Sequence, residues 1–240
     1  MQWAGIAADN TQTHRVTPAI SAQDLAAMAT DPDWEIRCKA AKHPATAPAI
    51  LASLALDPHS DVRNWVAANP ATPPEALVRL ATSNQWRLRQ AVAEHANTTP
   101  EALDTLAADR HTQVRSAVAR HCATTASTVQ TLAADPEWWI RQVIAERPDL
   151  ELSILEVLVP DASPSVRTSV AKHPAATPEM LSRLAADHDW QVRTAVAAHP
   201  TCPPKLLARL VRDPDADVCQ AATANPACPA HIRALARMVD

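Results

Sequence analysis

The chain has 240 residues, is 47% hydrophobic but only 3% aromatic, carries a net charge of −4, and contains one Gly, 21 Pro, seven Trp and neither Phe nor Tyr. A single Gly excludes Gly-rich phosphate loops and argues against all-β folds built on tight turns, and the absence of a basic excess does not suit a nucleic-acid binder. Abundant Ala and Leu favour helices, between which so much Pro must lie, because Pro breaks a helix interior.

Residues 1–16 follow no pattern and read as an N-terminal cap or loose tail, with neither a basic segment nor an apolar one of the kind a secretory signal shows. A half unit, TPAISAQDLAAMAT, occupies residues 17–30. From Asp31 the chain is periodic. Segments DPDWEIR, DPHSDVR, SNQWRLR, DRHTQVR, DPEWWIR, DASPSVR, DHDWQVR and DPDADVC begin at residues 31, 57, 83, 109, 135, 161, 187 and 213, always 26 apart. Eight units without insertion or deletion are the signature of a solenoid, in which each unit buries its apolar face against the next. Residues 17–240 therefore read as one domain.

Each unit reads as two helices. Asp31 before Pro32 has the form of an N-cap with Pro at the first helical position. The first helix runs about ten residues to pairs such as His43-Pro44 or Asn69-Pro70, where the Pro stops it. Thr72-Pro73-Pro74-Glu75 and Thr98-Thr99-Pro100-Glu101 then read as capping boxes opening a second, shorter helix. Apolar residues recur at helical spacing: Val62 with Val66, Leu88 with Val92, Val114 with Val118 and Ile140 with Ile144 in the first helix, Leu77 with Leu80 and Leu103 with Leu106 in the second. No strand pattern occurs. The last unit degenerates, with Cys219 in place of Arg and Arg233 at a Leu position, which suits a polar end.

The recurring D-P-x-x-x-V-R-x-A-V-A-x-N/H-P-x-T-P-P-E-x-L-x-x-L-A resembles the leucine-rich repeat variant family, from residue 17 to about 236. The resemblance implies an all-α, right-handed superhelical solenoid of α-helices alternating with short, often 3₁₀, helices. One type of member carries an N-terminal Cys cluster holding an iron–sulfur centre. Here no Cys precedes Cys38, so that cofactor is not carried over and none is expected.

With the register fixed, every repeat position becomes a column. One holds Arg37, Arg63, Arg89, Arg115, Arg141, Arg167 and Arg193, each six residues after a column of Asp31, Asp57, Asp109, Asp135, Asp161 and Asp187, continued by Asp213 and interrupted only by Ser83. Matched columns of opposite charge predict a structural Asp/Arg ladder like that of HEAT repeats, which these units also resemble. Setting aside seven of each leaves 15 basic against 19 acidic residues, so no nucleic-acid footprint survives. A second column holds His43, His95, His121, His173 and His199, with Asn69, Arg147 and Asn225 in other units. Adjacent units stack about 8–10 Å apart, too far for neighbouring His to share a metal comfortably, and the column reads as helix caps. Five scattered Cys read as reduced thiols in a cytoplasmic protein; Cys202 and Cys228 take the Thr cap position without metal-ligand spacing.

Trp34, Trp86, Trp138 and Trp190 share one position in every second unit. Four residues on lies a neutral column including Asn64, Gln90, Gln142 and Thr194, on the same helix face. This arrangement resembles armadillo-repeat peptide grooves, whose Trp and amide groups hold an extended chain; the alternative is that Trp packs between first turns and neighbouring loops. No catalytic motif stands out. The leading expectation is a non-catalytic scaffold for a protein or peptide partner. The alternatives are a nucleic-acid-acting HEAT-like protein, similar to alkylpurine DNA glycosylases and requiring a basic concave face, and a purely structural spacer.

Overall fold

A computed structural model describes residues 20–236. The expected N-terminal cap or tail, residues 1–16, lies outside the described residues, as do the first residues of the half unit and residues 237–240. Among the described residues there are seventeen helices and no strand. The long helices are α2 (Trp34–Lys42), α4 (Ser60–Ala68), α6 (Trp86–Glu94), α8 (Thr112–Arg120), α10 (Trp138–Ala145), α12 (Pro164–Lys172), α14 (Trp190–Ala198) and α16 (Ala216–Ala224). The short ones are α1 (Ala22–Met28), α3 (Pro48–Leu54), α5 (Pro74–Leu80), α7 (Pro100–Leu106), α9 (Ala126–Leu132), α11 (Leu152–Leu158), α13 (Pro178–Leu184), α15 (Pro204–Leu210) and α17 (Ala230–Ala236). The short helices are α rather than 3₁₀: Leu51 N donates to Ala47 O and Ala55 N to Leu51 O, with i→i−3 bonds confined to their ends.

Both apolar periodicities point into one continuous core. Val62, Val66, Leu88, Val92, Val114, Val118, Ile140 and Ile144 of the long helices are fully buried against Leu77, Leu80, Leu103 and Leu106 of the short ones. Each such side chain contributes about 1.5–3 kcal/mol on leaving water. Ala fills the adjoining positions, with Ala41, Ala67, Ala93, Ala119, Ala145, Ala171 and Ala197 all buried, and so lets successive long helices approach closely. The long helices pack directly on one another from α2 to α16, whereas the short helices chiefly contact the long helices flanking them. The long helices are thus the more closely spaced layer, and their exposed side, away from the short helices, is the inner face.

The local chemistry differs from the capping expected at two places. Helix α2 begins at Trp34, and its N-cap is Asp33, whose side chain accepts from Glu35 N. Asp31 instead accepts from Asp33 N at 2.8 Å, closing a two-residue turn before the helix, so Pro32 is not its first helical residue. The same turn recurs at Asp57, Asp109, Asp135, Asp161, Asp187 and Asp213. Thr72 likewise does not open the short helix α5, whose N-cap is Pro73. Its hydroxyl donates backwards to Val66 O, as those of Thr46, Thr98 and Thr124 do to Ala40, Val92 and Val118, satisfying orphan carbonyls of the preceding long helix. Thr99, rather than Thr98, caps α7 by accepting from Ala102 N. The reciprocal capping box occurs in α1, between Ser21 and Asp24.

Candidate functional site

The first ladder runs along the turns that precede the long helices. Arg37, Arg89, Arg115, Arg141, Arg167 and Arg193 each form a two-pronged bridge to the Asp twenty residues on, in the next unit: Asp57, Asp109, Asp135, Asp161, Asp187 and Asp213. Nε to Oδ2 distances are 2.5–2.8 Å and Nη2 to Oδ1 distances 2.8–3.0 Å. Every Arg of the column, Arg63 included, also donates from Nη1 to the carbonyl six residues back, at 2.6–2.8 Å. One guanidinium thus holds its own unit's turn and grips the next. The ladder Asp side chains are 3–8% exposed. Burial pushes the carboxyls of Asp57, Asp109, Asp161, Asp187 and Asp213 up, but the guanidinium and backbone N–H bonds together outweigh it and hold them below the usual carboxylate range. In the last unit the Cys219 thiol donates to Asp213 O in the place of an Arg.

The second ladder lies at the other end of the long helices. His95, His121, His173 and His199 each place Nε2 2.8–3.1 Å from the carbonyl of the residue 26 back. Their Nδ1 atoms accept from the backbone N–H two residues on, so Nε2 carries the proton and donates. Asn69 and Asn225 do the same with Nδ2, and Arg147 with Nη1. Except for Arg147, the column stands at the C-caps of its own helices, as expected, and from Asn69 onward its buried side chains also tie each unit to its predecessor.

Beside the ladders, the inner face of the long helices carries exposed polar and aromatic side chains. Two groove stretches lie on it, of about 490 and 540 Å³. The first is lined by Gln90, Glu94, Ser116, Arg120 and Trp139, the second by Gln142, Glu146, Thr168, Lys172, Thr194 and Trp190. Residues 52 apart correspond: Gln90 with Gln142, Glu94 with Glu146, Ser116 with Thr168, Arg120 with Lys172. Each Gln donates from Nε2 to its Glu one turn later at 2.8 Å. Ser169 adds a hydroxyl to Glu146 at 3.2 Å.

The structure divides the expected site residues. The first two members of the Trp column pack against the following unit: Trp34 stacks on His59 with centroids 3.9 Å apart, and Trp86 on His111 at 5.4 Å. Trp34, Trp138 and Trp190 are all exposed, and Trp190 lines the larger groove. Gln90, Gln142 and Thr194 line the grooves, but their donors are engaged within the chain, Thr194 Oγ1 giving its proton to Trp190 O. Asn64 is exposed on α4, outside both stretches. Trp139 lies off the Trp column and was missed by it, as was Trp65, which is exposed with Lys42 Nζ 4.6 Å from its ring centre. A helical wheel drawn from buried Val62 and Val66 would have found the second, since Asp61, Trp65 and Ala68 form one stripe.

Residues 61–83 and 190–215 match the profile of the Leucine rich repeat variant family. A solved leucine-rich repeat variant with a novel repetitive protein structural motif is 27% identical, with 86% of this chain and 87% of that chain covered at a TM-score of 0.67. Together these bear out the resemblance carried by the repeats, in sequence and in fold. An engineered protein matches at 15% identity over 84% of this chain and 76% of its own, with a TM-score of 0.42. Computationally designed armadillo repeat proteins for modular peptide recognition match at 16% identity over 91% and 87%, but superpose only to a TM-score of 0.22. No curated protein matches the chain.

Proposed function

We propose that this helical repeat scaffold is non-catalytic and holds an extended segment of a partner protein along the inner face of its long helices. One observation carries the reading: over residues 90–172 the amide, carboxylate, hydroxyl and basic positions of the groove recur after 52 residues, twice the 26-residue period of the core and ladders. Core packing asks only for the shorter period, so the longer one belongs to the exposed surface. Each stretch presents a carboxylate, a basic side chain, a small hydroxyl residue and a Trp, the mixture of rigid aromatic anchor and polar contacts that favours peptide recognition. Glu94, Arg120, Glu146 and Lys172 alternate in sign along the stack, and all four are exposed. Alternation favours a segment carrying both charges and disfavours tracking a phosphate backbone, which rewards cations alone. No described helix is long and apolar enough to cross a membrane.

A random peptide library selected on the folded protein tests this. Peptides bearing both charges should be recovered, and Trp139→Ala, Trp190→Ala and the paired swap Glu146→Lys with Lys172→Glu should each weaken capture at least tenfold while leaving the helical circular dichroism unchanged. Undiminished capture by all three variants would sink the proposal.

A further inference from the structure

The first ladder has seven arginines in one pose and only six carboxylates to receive them. Arg63 is held as its equivalents are, with Nη1 donating to Asp57 O at 2.6 Å and Pro58 O at 2.9 Å. Its Nε–Nη2 edge is thereby turned to the junction with the next unit, where every other rung has an Asp. The residue twenty on is Ser83. Its Oγ accepts from Gln85 N at 3.2 Å, so the same turn is closed by a hydroxyl instead of a carboxylate. Among the described residues neither Nε nor Nη2 of Arg63 has a partner, and Arg63 and Ser83 are each half-buried. A fork of fixed orientation, an adjacent hydroxyl and a missing negative charge therefore meet at one unit junction.

We propose that the Arg63–Ser83 junction is an oxyanion site that takes a phosphate group, esterified on the Ser83 hydroxyl or supplied free in solution. Planar guanidinium edges bind phosphate oxygens in the two-pronged manner used for carboxylates. The ester would arise when Ser83 Oγ attacks the terminal phosphorus of a nucleoside triphosphate in the active site of a protein kinase. The Oγ–P bond forms, the P–O bond to the nucleoside diphosphate breaks, and the hydroxyl proton passes to the kinase's base. The product brings a charge of about −1.5 to −2 to a place where six other units hold −1. Phosphate oxygens on Ser83 reach one bond farther than an Asp carboxylate, which the partly open junction admits. The seventh rung would then be made by modification or by ligand, rather than encoded.

Thermal unfolding of the full chain separates the two sources. Phosphoserine installed at residue 83 by genetic encoding should raise the midpoint by about 2–4 °C, and Arg63→Gln should abolish the gain. Titration with inorganic phosphate, against potassium chloride at matched ionic strength, should raise the midpoint of the unmodified chain if the free anion occupies the fork. It should not raise that of Ser83→Asp, whose carboxylate completes the rung. A gain from the ester alone assigns a modification site; a gain from free phosphate assigns a ligand site. The proposal is overturned if neither form of phosphate moves the midpoint, or if both move it equally in Arg63→Gln.

Discussion

Arg63 also supplies an internal control for the energy of one rung. Arg115 and Arg63 hold the same place in their units and make the same Nη1 bond to the carbonyl six residues back, but only Arg115 also reaches a carboxylate. Arg115→Ala strands Asp135, whose side chain is 3% exposed and keeps only the bond from Glu137 N. Removing one partner of a buried pair costs about 3–5 kcal/mol, because the other charge is left unpaired. The bridging guanidinium is 13% exposed, and solvent reaching that side reduces the figure to about 2–3 kcal/mol. Arg63→Ala loses its carbonyl bonds and side-chain packing alone and should cost less by that difference. Urea denaturation followed by circular dichroism, with a double-mutant cycle of Arg115→Ala and Asp135→Ala, measures it. Equal losses for Arg63→Ala and Arg115→Ala would refute the reasoning and assign the role of the column to the carbonyl bonds.

The ladder also fixes an acid response. Asp57, Asp109, Asp161, Asp187 and Asp213 have folded pKa values below their unfolded ones, so their contribution is complete above the ordinary Asp value of about 3.9 and is lost as pH falls through the lower folded values. Unfolding midpoints should therefore decline steeply below about pH 4, and a flat profile down to pH 2 would contradict the buried bridges. In the second ladder, His121→Asn should be nearly neutral, since Asn69 and Asn225 make the equivalent bonds, whereas His121→Ala should cost about 1–3 kcal/mol by denaturant titration. Burial pushes the Cys202 thiol up to about 11, while Cys122 is exposed. A thiol reagent at pH 8 should therefore label Cys122 long before Cys202, with peptide mass mapping as the readout.

The architecture was legible because its signals are local and repeated. Val62 and Val66 announce a helix face, and Pro44 or Pro70 marks where that helix ends, without reference to any other unit. The caps were less legible, because the residue at each unit start, Asp31 and Ser83 included, spends its side-chain oxygen on the backbone N–H two residues on, and in six units the Asp is also bridged by an Arg of the unit before. Thr72 shows the same limit, since its hydroxyl is taken by Val66 O behind it and not by the helix ahead. In both cases the competitor lies in a turn, across a loop or across a unit junction, where reading along one helix does not reach. The grooves were partly visible: the neutral column supplied Gln90, Gln142 and Thr194, but its vertical alignment hid Trp65 and Trp139, which share the inner face from adjoining positions. What every unit keeps holds the stack together, and what differs between units lies on the exposed face.

Two phase lengths in one chain set what can be cut from it or added to it. Excising any 26 residues leaves the apolar layers, and almost every bridge, in register across the new junction. The same excision between residues 90 and 172 would bring Glu94 beside Glu146 or Arg120 beside Lys172, like charge against like, and throw the exposed pattern out of step. Excising 52 restores both. On the proposed function, a chain shortened by one unit should therefore fold and lose its partner segment, whereas one shortened by two should keep the alternation intact and retain part of its capture.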